Sequence, residues 1–324
     1  MKLVFNNQTL PFRTDFVVAG TRCFLSTNSH DILNAAAQWH PIADLSYGSS
    51  FEMEVMVEPR LDKVPQHAAH FRGSRHLVFA MLPPRSFIAF DLLRRRVHAV
   101  LCSNSSTFSF WNTRLLPITI GVLSTTVGVV PLHCACLDRN GLGVLIAGVS
   151  GAGKSTLATA IAQRGFALLS DDWTYISKRK SALAAHGLYS PIKLLPDAAH
   201  FFPELQKFTP RVSLNGELAY EIEGPTSIGI TFTGFARPQF LFFLERTSAP
   251  GCYLLRCRSS YVREFFENNA ERLPDELPDA KIFRSSVIKS ISDCPAWILR
   301  TGESPQATAE HLNDFLLEAN RATA

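Results

Sequence analysis

The sequence predicts an α/β (α+β) protein of two regions, a β-rich N-terminal region over residues 1–105 and an α/β region over 106–324. Three observations predict it. A glycine-rich stretch at 148–156 stands between an apolar, strand-like run and a run of helix formers. Short alternating segments broken by turn residues fill most of the first hundred positions. The polar run Ser103-Asn104-Ser105-Ser106-Thr107-Phe108-Ser109-Phe110 separates the two regions.

In the N-terminal region, Phe51, Met53, Val55 and Val57 alternate with Glu52, Glu54 and Met56, as a two-faced strand requires. Strands are predicted over 76–82 and 86–93, split by Pro83-Pro84. Residues 97–102 return as a hairpin whose tip is Arg94-Arg95-Arg96. Residues 31–39 form a short helix capped by Asn28 or Ser29. This region carries no recognisable chemistry.

The C-terminal region opens with a helix over about 111–127. Strands follow at 131–138, 143–148, 166–170 and 173–177. Pro191, Pro196, Pro203 and Pro210 make the middle a stretch of short helices and loops. Strands resume at 228–232 and 239–245. Ala309, Leu312, Leu316 and Ala319 give 306–320 the apolar stripe of a packing helix.

Composition narrows the functional classes. Of 324 residues, 46% are hydrophobic and 19% charged, an ordinary globular balance. A net charge of +4 without a dense basic face excludes nucleic acid as the expected partner. Between Arg114 and Asp138 no residue is charged, which is long enough to span a bilayer. Pro117, Pro131, His133 and the hydroxyl residues within it instead predict a buried helix followed by a buried strand, and no membrane. The N-terminus lacks the apolar core of a signal peptide. Seven scattered cysteines without a C-x-x-C pair fit reduced thiols in a cytoplasmic protein.

Gly148-Val149-Ser150-Gly151-Ala152-Gly153-Lys154-Ser155-Thr156 is a full G-x-x-x-x-G-K-[ST] phosphate loop in strand–loop–helix context. Gly148, Gly151 and Gly153 let successive N–H groups converge on an anion, and the helix start adds its positive dipole end. Lys154 reaches the β- and γ-phosphates, and the Ser155 hydroxyl is placed to ligate Mg²⁺. Asp171 follows Lys154 by 17 residues, and with Asp172 it ends the apolar run 166–169. Adjacent carboxylates on an extended chain point apart, so the two have different roles: general base, or second metal ligand. His133, 21 residues before Lys154, comes near the loop if Asp138-Arg139-Asn140-Gly141 closes a hairpin. It could then hydrogen-bond an aspartate or the γ-phosphate. Arg237, ahead of the strand 239–245, is a candidate phosphate clamp.

Three segments, Pro131–His133, Gly141–Ser155 and Arg164–Asp172, resemble the catalytic core of the HPr kinase/phosphorylase family, in the same order of histidine, glycine-rich loop, "RG" and paired aspartates. From its first segment to its last the resemblance covers about 45 residues of 324. It implies a fold like ATP-dependent phosphoenolpyruvate carboxykinase, ATP with Mg²⁺ as donor, and a protein serine as acceptor. By position it implies Asp171 as the base, Asp172 as its support or a metal contact, His133 as its assistant, and Lys154 and Ser155 on phosphate and Mg²⁺. It also implies a homo-oligomer, since such kinases form hexamers. Two features depart from the family. Where it has a glycine-rich E-x-R-G-x-G run, this chain has Glu221-Ile222-Glu223-Gly224-Pro225, and the N-terminal region is not the family's usual one. The expected activity is therefore Mg-ATP-dependent phosphorylation of a serine on an HPr-like protein or on a ribosomally made precursor peptide, lasso peptides among them. A kinase for a small hydroxylated metabolite and a non-catalytic nucleotide-binding regulator are the alternatives.

Overall fold

The computed structural model describes residues 9–38, 50–58, 70–82, 86–102, 110–179, 182–188, 191–213, 216–223, 225–270 and 272–323. The break expected at Pro83-Pro84, the separating run 103–109 and Gly224 lie outside the described residues. The chain is a mixed α/β protein with several sheets, and it divides into two compact units. One comprises 1–129 with 272–283, the other 130–271 with 284–324.

The first unit holds a seven-stranded sheet ordered Phe12–Val18, Thr21–Thr27, Ser50–Glu58, Arg96–Cys102, Ser86–Asp91, Leu77–Leu82, His70–Ser74. Ser50–Glu58 runs parallel to both of its neighbours. Its alternation is realised: Phe51, Met53 and Val55 are buried, while Glu52 and Glu54 face outward against Arg96 at 2.7 Å and His98 at 3.0 Å. The arginine tip is a tight turn with Arg95 at φ 55°, and Asp91 pairs with Arg96 across it. The helix His30–Ala37 is capped by Ser29, whose hydroxyl accepts from the Ile32 N–H.

The predicted helix over 111–127 is three segments: a π-helix Trp111–Leu115, an α-helix Leu116–Leu123 and a 3-10 helix Ser124–Val127. Pro117 has no N–H to give the Thr113 carbonyl, and the helical winding changes beside it. Arg114 Nη1 donates to that carbonyl at 3.4 Å. Among the described residues, no helix is long and apolar enough to cross a membrane.

The second unit is built on another seven-stranded sheet, ordered Thr231–Phe232, Ala167–Ser170, Ala135–Arg139, Leu142–Ala147, Pro238–Arg246, Ala296–Thr301, Cys252–Arg256. Helices cover both faces, so its central strands are apolar throughout rather than alternating. Val144, Ile146, Phe242 and Leu244 pack on the side of Lys154–Ala162 and Pro305–Thr323. Leu145, Ala147, Leu241 and Phe243 pack on the side of Ser259–Asn268 and the later turns of Pro278–Ser292. There Phe243 meets Phe265 and Tyr261 edge-on at 4.8 and 5.1 Å. Such pairs contribute about 0.5–1.5 kcal/mol beyond their buried area.

Two sequence expectations are corrected. The strand expected over 131–138 is two strands, Val129–His133 and Ala135–Arg139, which join different sheets. The Cys134 N–H bonds the Leu132 carbonyl at 2.9 Å, closing a three-residue turn centred on His133. The proline-rich middle does contain short 3-10 helices, at Pro196–His200 and Pro203–Lys207. It also contains a small sheet of Ile192–Leu194, Leu218–Ile222 and Arg211–Val212. The strand returning from the helix Lys154–Ala162 is separated from Leu142–Ala147 by the antiparallel strand Ala135–Arg139.

Candidate active site

Strand polarity assembles the site. Leu142–Ala147 runs parallel to Pro238–Arg246, which runs parallel to Ala296–Thr301. Ala167–Ser170 points the same way, being antiparallel to a strand that is itself antiparallel to Leu142–Ala147. The carboxyl ends of four strands therefore share one sheet edge. The loop after Ala147 and the aspartates after Ser170 both emerge there. Ligand sites in such sheets form at this edge. The hairpin expected at 138–141 is present, with Asn140 and Gly141 at φ 55° and 84° and Leu142 paired to Arg139.

In the glycine-rich loop, Gly148, Gly151 and Gly153 have φ of 154°, 79° and 92°. A side chain at Gly148 would also stand 2.9 Å from the Leu244 carbonyl. Ser150, Gly151, Ala152 and Gly153 lead into the helix Lys154–Ala162, whose first turn includes Ser155 and Thr156. Lys154 is only 6% exposed. Its Nζ donates to the Gly148 and Val149 carbonyls at 3.0 and 3.2 Å, so the ammonium is held inside the curl of the loop. Burial pushes its pKa down, and the charge of Asp172 opposes that fall. The Ser155 hydroxyl donates to the Asp171 backbone carbonyl at 3.3 Å, tying the loop's helix to the aspartates.

The two carboxylates diverge. Asp171 is 4% exposed, and its Oδ2 accepts the Lys193 N–H at 3.0 Å. Burial drives its pKa up to about 7, against the lowering effect of that hydrogen bond. The Asp172 side chain is 54% exposed, and its Oδ1 lies 2.8 Å from His133 Nε2. The His133 ring stacks on Trp173, with centroids 5.3 Å apart and planes 24° from parallel. Thr174 fastens this corner, donating to the Cys134 carbonyl at 2.7 Å and meeting the Ser170 hydroxyl at 2.6 Å.

His133, Lys154, Ser155, Asp171 and Asp172 are thus brought together. Arg237 is not among them. Its carbonyl accepts from the Gly143 N–H at 3.1 Å, at the opposite end of the strand from the loop. That is roughly 16 Å from Gly148 at about 3.3 Å per residue. The parallel register explains it, since the residue preceding such a strand falls on the edge away from the loop. Sequence reasoning missed Arg246, at the loop end of the same strand and lining a cavity with Gly151 and Gly153. It also missed Trp173 and Lys193. Trp173 is adjacent to the aspartates, and that adjacency was a usable signal. Lys193 acts through its backbone, which its residue type does not announce.

Residues 127–190 match the family described as HPr Serine kinase C-terminal domain, a segment that contains His133, the loop and both aspartates. This stretch of the chain is HPr-kinase-like. An HPr kinase/phosphorylase from Paraburkholderia phytofirmans is 27% identical over 152 residues, 45% of this chain and 47% of that protein. One from Geobacter sulfurreducens is 34% identical over 107 residues, 31% of this chain and 30% of that one. The chain spans less than half the length of these curated relatives. Among solved structures, the HPr(Ser) kinase/phosphatase from Coxiella burnetii is 15% identical, with a TM-score of 0.34 over 59% of this chain and 98% of that one. The matched segment holds two neighbouring clusters, the cationic loop at Lys154 and the acidic corner at Asp172.

Proposed function

We infer that this chain is a kinase that transfers the γ-phosphoryl group of Mg-ATP to a serine hydroxyl on a protein or peptide. The observation that carries this reading is the meeting of a lysine-filled loop and an open Asp172–His133 pair at one sheet edge. The loop supplies backbone N–H groups and the Lys154 ammonium for phosphate oxygens. Among the described residues, no three His, Cys, Asp or Glu side chains converge as a metal cluster. Mg²⁺ keeps several waters and binds largely through substrate phosphates, so the Ser155 hydroxyl suffices as its protein ligand and leaves the Asp172 carboxylate to the acceptor. The bound nucleotide with its Mg²⁺ supplies the transferable phosphoryl group.

In this reading Asp172 faces the acceptor. It is the exposed carboxylate, close enough to Lys154 to influence its ionisation. It can accept the serine proton while His133 holds it in place from the other side. The sequence reading gave this role to Asp171. That side chain is enclosed and already engaged by Lys193, so we assign it the support of Asp172 and of the strand Ile192–Leu194. Transfer then rests on positioning and charge neutralisation.

The exposure of Asp172 and of Trp173, at 38%, favours a macromolecular acceptor over a metabolite, because a metabolite kinase needs an enclosing pocket. An HPr-like protein and a precursor peptide both fit. All seven cysteines are free, which supports a reducing, cytoplasmic setting. The test is transfer from γ-labelled ATP with Mg²⁺ into HPr, serine-bearing peptides and free serine. Label on a protein or peptide that is lost in Asp172→Asn supports the reading. Label on free serine alone would replace it with the metabolite kinase.

A further inference from the structure

The cavity that Arg246 lines, of about 150 Å³, opens on the flank of the glycine-rich loop away from the aspartates. It shares Gly151, Gly153 and Thr156 with the loop but includes none of Lys154, Ser155, Asp171, Asp172 or His133. Its walls are apolar at Leu157, Phe201 and Leu244, and Arg246 lines it as well. We propose that this cavity is the seat of the nucleoside base, held between Phe201 and the Arg246 guanidinium. The proposal rests on the phosphate-loop reading above and adds which side chains select the nucleotide.

The loop fixes the direction of the ligand. Lys154 and Ser155 face the acidic corner, so the terminal phosphate belongs on that flank and the opposite end of the nucleotide leaves past Thr156. The cavity begins there. Its volume is below the 300–1,000 Å³ of sites that swallow a whole ligand, so it suits one flat ring system rather than a complete nucleotide. The chemistry of the walls agrees. A half-buried phenyl ring and a planar guanidinium are the groups that stack on an aromatic base. Both are anchored. Arg246 Nη1 donates to the Glu303 carbonyl at 3.0 Å, and the Phe201 carbonyl accepts from Gln306 Nε2 at 2.6 Å. The Thr301 and Thr308 hydroxyls at the back bond each other at 2.8 Å, so that wall asks for no polar partner.

The test is calorimetric titration of the full chain, with Mg²⁺, by ATP and by inorganic tripolyphosphate, which has the phosphates without the base. Arg246→Ala and Phe201→Ala are each expected to weaken ATP tenfold or more and leave tripolyphosphate within twofold. Arg246 is exposed, so its variant remains informative if Phe201→Ala fails to fold. Unchanged ATP affinity in Arg246→Ala, or equal weakening of both ligands, would overturn the proposal. If the wild-type chain binds neither ligand, the phosphate-loop reading itself fails. That result is distinct from misplacing the base.

Discussion

His133 Nε2 lies 2.8 Å from Asp172 Oδ1, and the same histidine ring is stacked on Trp173, the next residue along. One imidazole is thus gripped at its edge by a carboxylate and at its face by an indole. The neighbouring Asp171 stands outside this contact and turns inward to Lys193.

This divergence separates the two aspartates experimentally. Asp172→Asn is expected to lower kcat by 10²–10⁴-fold, the usual worth of a general base, with ATP affinity nearly unchanged. Asp171→Asn is expected to cost much less, since an amide oxygen can still accept the Lys193 N–H. Steady-state kinetics on both variants decides the matter, and the reverse ranking would return the base to Asp171.

Asp171 also predicts a pH dependence of stability. Its pKa is about 7 in the folded chain, against about 3.9 for an unfolded aspartate. Between these values the folded state binds more protons than the unfolded one, so stability falls as pH rises. The slope is at most about 1.4 kcal/mol per pH unit. The contribution is complete below about pH 4 and lost on passing pH 7. Melting curves across this window should fall more steeply for the wild type than for Asp171→Asn.

Lys154→Ala should weaken nucleotide binding and transfer together. Lys154→Arg should not rescue them, because a forked guanidinium cannot replace a point charge seated between two loop carbonyls. Equilibrium binding of ATP and a transfer assay on the same preparations would show it.

Trp173→Ala should lower kcat at unchanged KM for ATP, with Trp173→Phe restoring most of it if the stacked face is what matters. A shift of the pH–rate profile in the alanine variant alone would mark a positioning role.

At Gly143 an added Cβ would stand 2.2 Å from the Arg237 carbonyl and 2.9 Å from the Pro238 nitrogen. Gly143→Ala therefore has to push a pair of central strands apart. Overpacking of this kind costs about 1–3 kcal/mol or more, and thermal melting should drop by several degrees.

Much of this was readable from the residues. Asn140-Gly141 announced its hairpin, and the alternation around Phe51 its buried face. The loop motif fixed strand, turn and helix together, because all three are local. What failed was long-range. Nothing local says that Ala135–Arg139 inserts between two parallel strands, or that the chain breaks at His133. Arg237 looked close to the loop because a strand's starting end and its finishing end read alike in one dimension. Asp171 and Asp172 were indistinguishable by type, and the strand Ile192–Leu194, which engages one of them, was hidden among prolines.

The turn at His133 divides the site's parentage. His133 ends a strand of a four-stranded sheet ordered Phe235–Ala236, Ala182–His186, Trp173–Arg179, Val129–His133, whereas Lys154 follows a strand of the second unit's seven-stranded one. Thr174, reaching the Cys134 carbonyl and Ser170, rivets the seam. In the proposed kinase reading, the half that would hold the donor and the half that would face the acceptor thus stand on separate platforms. A sub-ångström slip along that seam would detune transfer while leaving nucleotide capture intact, so the seam is a natural place for evolution to adjust rate independently of affinity.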